Sequence, residues 1–188
     1  MLIRAALLSC ALLAACAAPG AGRPAAMPVL PVLSPASYGR SAQLEQVLHA
    51  AFGAQEASLQ CIVGITPQRL TVLGLTALGQ RVFSLEYDGT ALKAERSPLA
   101  PDQVQPERIL ADLQFALWPL SALQAATTGS PWKVSEPRPG LRRLAYGEQL
   151  VAELHRADQA GIGVPARLWL SALRDGYALD IETREAAP

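Results

Sequence analysis

The sequence predicts a mainly β domain of the α+β class, in which antiparallel strands build a curved sheet and one or two short helices cover it. Three observations carry this expectation. From Gln43 onward, short apolar segments are punctuated by Gly, Pro and Asp at the spacing of antiparallel strands. Gly74 and Gly79 stand where a curved sheet needs sharp bending or close backbone approach. Between Pro106 and Trp118 the alternation gives way to helical spacing of apolar residues.

The first five strands are expected near 43–52, 56–66, 68–76, 80–87 and 90–96. The fourth is the clearest, because Phe83, Leu85 and Tyr87 alternate with Ser84 and Glu86, and Asp88-Gly89 follows as a turn. One of its faces should be buried and the other wet. Arg69 to Leu75 is apolar at nearly every position, as in a strand covered on both faces or lining a cavity.

Pro98, Pro101 and Pro106 then lead into a helix. Pro106 suits a first turn, Glu107 complements the positive end of the helix dipole, and Ile109, Leu110, Leu113 and Leu117 form one stripe. Phe115 and Trp118 widen it until little polar face remains. Pro119 stops or bends the helix, and Leu120 to Ala126 continue as a second short one. Strands are expected again at 141–146 and 149–156, with Gly147 between them. A final pair at 166–173 and 177–183 meets at Arg174-Asp175-Gly176, with Tyr177, Leu179 and Ile181 set against Asp180 and Glu182.

Ahead of this domain, Arg4 is followed by an apolar run from Ala5 to Leu13, too short to span a bilayer, and then by Ala14-Ala15-Cys16. This reads as a bacterial lipoprotein signal over residues 1–15, with Cys16 as the lipid attachment site. The alternative is an ordinary cleavable signal with an incidental cysteine. Diacylglyceryl transfer and amino-terminal acylation would give Cys16 the several chains that stable anchoring needs. By similarity to sorted lipoproteins, Ala17 in place of Asp implies the outer membrane, with the domain facing the periplasm. Residues 16–37 carry Pro19, Pro24, Pro28, Pro31 and Pro35 among alanines and glycines, which makes a tether, although Val29 to Leu33 is apolar enough to lie against the domain.

Removing 15 of the 188 residues leaves 173, enough for one domain, placed at 38–185. The mature chain is close to neutral, so nothing points to nucleic acid, whose recognition begins with a basic surface. Only 17% of residues are charged while 51% are hydrophobic, which means a large core or apolar surface kept for a partner. Cys61 is the one thiol left after processing. It sits in a strand-like setting, where a small buried apolar role is expected and no intramolecular disulfide is available.

The catalytic inventory is thin. His49 and His155 stand beside no second ligand at metal spacing, and there is no paired-cysteine, HExxH or G-x-S-x-G motif, so neither a metal nor another cofactor is expected and no catalytic residue is assigned. Gly161-Ile162-Gly163 is too short and isolated for a phosphate loop. Arg138, Arg142 and Arg143 form a small basic cluster expected in a solvated loop.

The run from Arg69 to Thr76, the run from Gly79 to Gly89, and Leu110 to Gln114 with Leu117-Trp118-Pro119 resemble a family of uncharacterised proteobacterial lipoproteins defined as a domain of unknown function. The resemblance spans about residues 40–183. Members tend to be encoded near genes for fatty-acid-like or aryl-polyene lipid synthesis, which implies envelope lipid work. More distantly, the anchor, strand order and helical insertion are similar to the outer-membrane lipoprotein receptor of the lipoprotein-localisation pathway. That likeness implies an open half-barrel around an apolar cavity, and a protein that binds acyl chains of a lipid or lipidated cargo. The cavity is then expected between Val72, Phe83, Leu85 and Tyr87 on the sheet and Leu113, Leu117 and Trp118 on the helix. A monomer held to the membrane by its lipid anchor is expected. The competing reading is a scaffolding lipoprotein that binds an envelope protein and holds no lipid.

Overall fold

The computed structural model describes residues 30–101, 104–157 and 166–186. Cys16, the signal segment, most of the tether and the Gly161-Ile162-Gly163 motif lie outside them. The first half is a meander of β1 (Ala42–Phe52), β2 (Gln55–Thr66), β3 (Arg69–Leu75), β4 (Arg81–Tyr87) and β5 (Leu92–Arg96). Two helices follow, α1 (Pro106–Leu117) and α2 (Leu120–Thr127). A second meander runs through β6 (Trp132–Arg138), β7 (Leu141–Tyr146), β8 (Gln149–Arg156), β9 (Arg167–Ala172) and β10 (Tyr177–Glu185).

Pairing of β1 with β10, from Leu44 opposite Glu185 to Phe52 opposite Tyr177, fuses the two meanders into one antiparallel sheet of ten strands. Its order is β5-β4-β3-β2-β1-β10-β9-β8-β7-β6, so β5 and β6 are unpaired edges and the curled sheet is a half-barrel. The same order explains the cover. The chain leaves the sheet at β5 and must re-enter at the opposite edge, so α1 and α2 bridge the two edges.

β6 was not expected from the sequence. Pro131, Pro137 and Pro139 argue against a strand, but an edge position tolerates a missing donor, and the register shifts between Ser135 and Arg138, around Pro137. Of the two readings of β3, coverage on both faces does not hold, while Val72 does line a cavity. Leu70, Val72 and Gly74 are buried, whereas Arg69 and Thr71 are exposed and Leu73 and Leu75 half-buried, because the helices cover only one face of the sheet. Gly74 is required at its place: it lies opposite Phe83, and a Cβ there would fall 2.2 Å from the Phe83 ring. Gly79 lies in the turn before β4 at φ 77°, outside the strands.

α1 is buried on more than the expected stripe. Leu110, Ala111, Gln114, Phe115 and Ala116 are buried, while Ile109, Leu113 and Leu117 are only half-buried. The reason is a strap formed by residues 30–38. Leu30 is buried in the core and Leu33 packs against it, so this part of the apolar segment lies on the domain. Gln114 fixes the strap by accepting from the Leu33 N–H (2.7 Å) and donating to its carbonyl (2.8 Å). Trp118 Nε1 donates to Ser37 Oγ at 2.9 Å, and the Tyr38 ring lies 5.0 Å from that of Trp118.

Arg142 corrects the solvated-loop expectation for the basic cluster. It is 2% exposed, on β7, and its Nη1 donates to the carbonyls of Phe115 (2.6 Å) and Trp118 (2.9 Å). The physical cause is Pro119. Its missing N–H leaves the Phe115 carbonyl without the usual helical donor, and the negative end of the helix dipole favours a cation there. Burial and nearby Arg156 lower the Arg142 pKa to about 10. Arg143, one residue on, points out and pairs with Glu153 at 2.7 Å.

Candidate functional site: an apolar cavity beneath the first helix

Alternation along β1 places Gln46, Leu48, Ala50 and Phe52 on the inner face. Facing them, α1 contributes Ile109, Leu113 and Ala116. Between these surfaces is a cavity of about 110 Å³, closed further by Leu59 of β2, Leu170 of β9, and Leu179 and Ile181 of β10. Leu48, Leu59, Leu113 and Leu179 remain half-buried, unlike the fully covered Leu168 and Leu170. A cavity of roughly 150 Å³ lined by such side chains stays dry and accepts a small apolar guest. The volume here therefore suits a few methylenes, and a longer chain requires α1 to move outward.

Of the residues expected around the cavity, Val72, Phe83 and Leu113 line it. Leu85, Tyr87 and Trp118 are buried in the core but are not part of this lining, and Leu117 is half-buried beside the core. The shift has a topological cause. The cavity is centred on β1, β2, β9 and β10, and the closure of β1 on β10 cannot be read from residue periodicity. The alternation of Tyr177, Leu179 and Ile181 was visible, but not which strand it would meet.

Cys61 also faces the cavity. It is 6% exposed, and burial pushes its thiol pKa up to about 12, so it is protonated at neutral pH and serves as a small apolar wall group. His49 is exposed with Nδ1 2.8 Å from Ser58 Oγ, and His155 is half-buried on β8. Among the described residues, no three His, Cys, Asp or Glu side chains converge as a metal site.

One end of the cavity is polar. Tyr177, at the start of β10, donates its hydroxyl proton to Asp112 of α1. Arg108, one turn earlier on α1, forms an ion pair with Asp175 and lies 5.5 Å over the Tyr177 ring. Burial pushes the Asp112 pKa up to about 6, against the lowering effects of the Tyr177 hydrogen bond and of Arg108 and Arg174. Burial and the adjacent Asp112 likewise push the Tyr177 phenol well above its ordinary value. Arg108, Asp112 and Tyr177 also line a second recess, whose walls include Leu30 of the strap.

These features define a class: an unclosed antiparallel half-barrel with helices across its opening and an apolar cavity beneath the first helix. The chain belongs to the protein family of unknown function DUF3261, which matches residues 43–185. No curated protein matches the chain. Among solved structures, it is similar to a LolA superfamily protein from Nitrosomonas europaea, with 12% identity, a TM-score of 0.44, and coverage of 77% of this chain and 84% of the other. It is also similar to a DUF1329 family protein from Desulfovibrio piger ATCC 29098, with 10% identity, a TM-score of 0.38, and the same coverages of 77% and 84%.

Proposed function

We propose that this protein is a lipoprotein anchored through Cys16 to the periplasmic face of the outer membrane, and that its domain binds acyl chains of a lipid or lipidated cargo during envelope transport or assembly. The observation that supports this is the cavity between α1 and the β1–β10 seam, whose walls are mostly apolar away from its polar end. Each methylene buried there gains roughly 0.8 kcal/mol before ordering costs, so even a partly inserted chain binds usefully. Among the described residues, no helix is long and apolar enough to cross a membrane; in this reading the lipid on Cys16 is the attachment.

Native mass spectrometry of the chain from residue 17 onward, which contains every described core residue, tests the acyl-binding part. Purified from a lipid-containing host, it should carry adducts of lipid mass that are lost on delipidation and regained with added lipid. Failure to bind any acyl compound favours the scaffolding reading, which draws on exposed Val47, Ile62 and Trp169 on the outer side of the sheet. The anchor is tested separately: Cys16→Ala should abolish incorporation of labelled palmitate.

A further inference from the structure

The polar end of the cavity is balanced in an unequal way. Arg108 and Arg174 both engage one carboxylate, Asp175: Arg108 through an ion pair, and Arg174 through Nε at 3.0 Å from Oδ1. Asp112, by contrast, receives the Tyr177 hydroxyl and makes no ion pair of its own among the described residues. It is half-buried, and it lines both the apolar cavity and the recess beyond. An amphiphile whose tail lies between α1 and the sheet therefore meets Asp112 at this end, while the two guanidinium groups beside it are already occupied.

We propose that Asp112 is a specificity-determining residue that makes the cavity select uncharged acyl groups, such as esters or amides, over free fatty-acid anions. This rests on the acyl-binding reading and names the ligand class. A carboxylate brought to the polar end would stand near the Asp112 carboxylate in a poorly hydrated space, where like charges repel far more than in water. To be neutralised it would have to displace Asp175 from Arg108 and give up the packing of that guanidinium over Tyr177. An ester or amide carbonyl brings no charge and leaves the Asp112–Tyr177 and Arg108–Asp175 pairs in place. The raised pKa of Asp112 supports the same view, since burial at its position already disfavours the one carboxylate there that has no ion pair.

The experiment compares methyl dodecanoate with dodecanoate at pH 7.5, each displacing a fluorescent neutral acyl ester from the delipidated chain beginning at residue 17. Any apolar cavity prefers the ester, so the decisive quantity is how the preference changes on substitution. Asp112→Asn retains the shape and an acceptor for Tyr177, and Asp112→Leu removes the polar group altogether. In whichever variant unfolds cooperatively like wild type, the ester-to-anion preference should fall by about tenfold, the effect of a like charge across a partly hydrated gap. An unchanged preference in a folded variant, with both probes still bound, overturns the selection by Asp112 and leaves the acyl-binding reading standing. If neither the ester nor the anion binds wild type, both the selection and the acyl-binding reading fall.

Discussion

Arg142 shows a single residue meeting a need created 23 positions away, where Pro119 leaves a helix end short of donors. Arg142→Leu should cost about 2–4 kcal/mol in chemical denaturation, because two buried carbonyls lose a charged donor, while Arg142→Lys recovers part of the loss. Equal stability of the leucine variant would show that the carbonyls find other partners. The signal for this role was present in the sequence, since Pro119 announces an orphaned carbonyl, but a run of two arginines looks like surface. Asp112 gives a pH prediction at the same scale. Its folded pKa of about 6 lies above the unfolded value of about 3.9, so the stability it contributes is present below pH 4 and is lost as the pH rises through 6. Asp175, facing it with Arg108, Arg174 and Tyr177, has a lowered pKa and the opposite sign, so the informative quantity is the difference between wild type and Asp112→Asn. Between pH 4 and 7.5 the variant should gain about 1–2 kcal/mol on wild type, allowing for the half-buried position. A difference that stays flat across this range contradicts the assignment.

At the scale of elements, most strands and both helices were legible because each carries its own period, as in Phe83, Leu85 and Tyr87 or the apolar run of α1. β6 was not, because three prolines mask an edge strand that does not need every donor. The burial of α1 was only partly legible. Its stripe identifies one face toward the sheet, but the second buried face exists because Leu30, Leu33 and Tyr38 return to cover it, and such a contact leaves no period. What the cavity requires of this helix can be tested by filling the space from the helix side. Leu113→Trp should abolish binding of a fluorescent acyl ester while leaving the melting temperature within a few degrees of wild type, since the larger ring occupies existing space. A tryptophan variant that binds the probe as wild type does would place the chain elsewhere.

For the whole molecule, the pairing of β1 with β10 decides where the cavity lies. It turns two consecutive meanders into one half-barrel, sends the helices across the opening, and centres the cavity on strands from opposite ends of the chain. The half-barrel class was implied by the family resemblance, while strand spacing pointed to antiparallel strands. The position of the cavity followed from neither, which is why Val72, Phe83 and Leu113 were found at its wall while Leu85, Tyr87 and Trp118 belong to the surrounding core. The most direct test of the central claim uses a neutral acyl ester bearing a photoactivatable diazirine near the end of its chain, irradiated with the delipidated protein and mapped by peptide mass spectrometry. Labelling should fall on residues of the cavity wall such as Leu48, Leu59, Leu113 and Leu170, and excess unlabelled ester should suppress it. Labelling confined to the outer face around Val47, Ile62 and Trp169, or labelling that excess ester does not reduce, would contradict an acyl-binding cavity beneath α1.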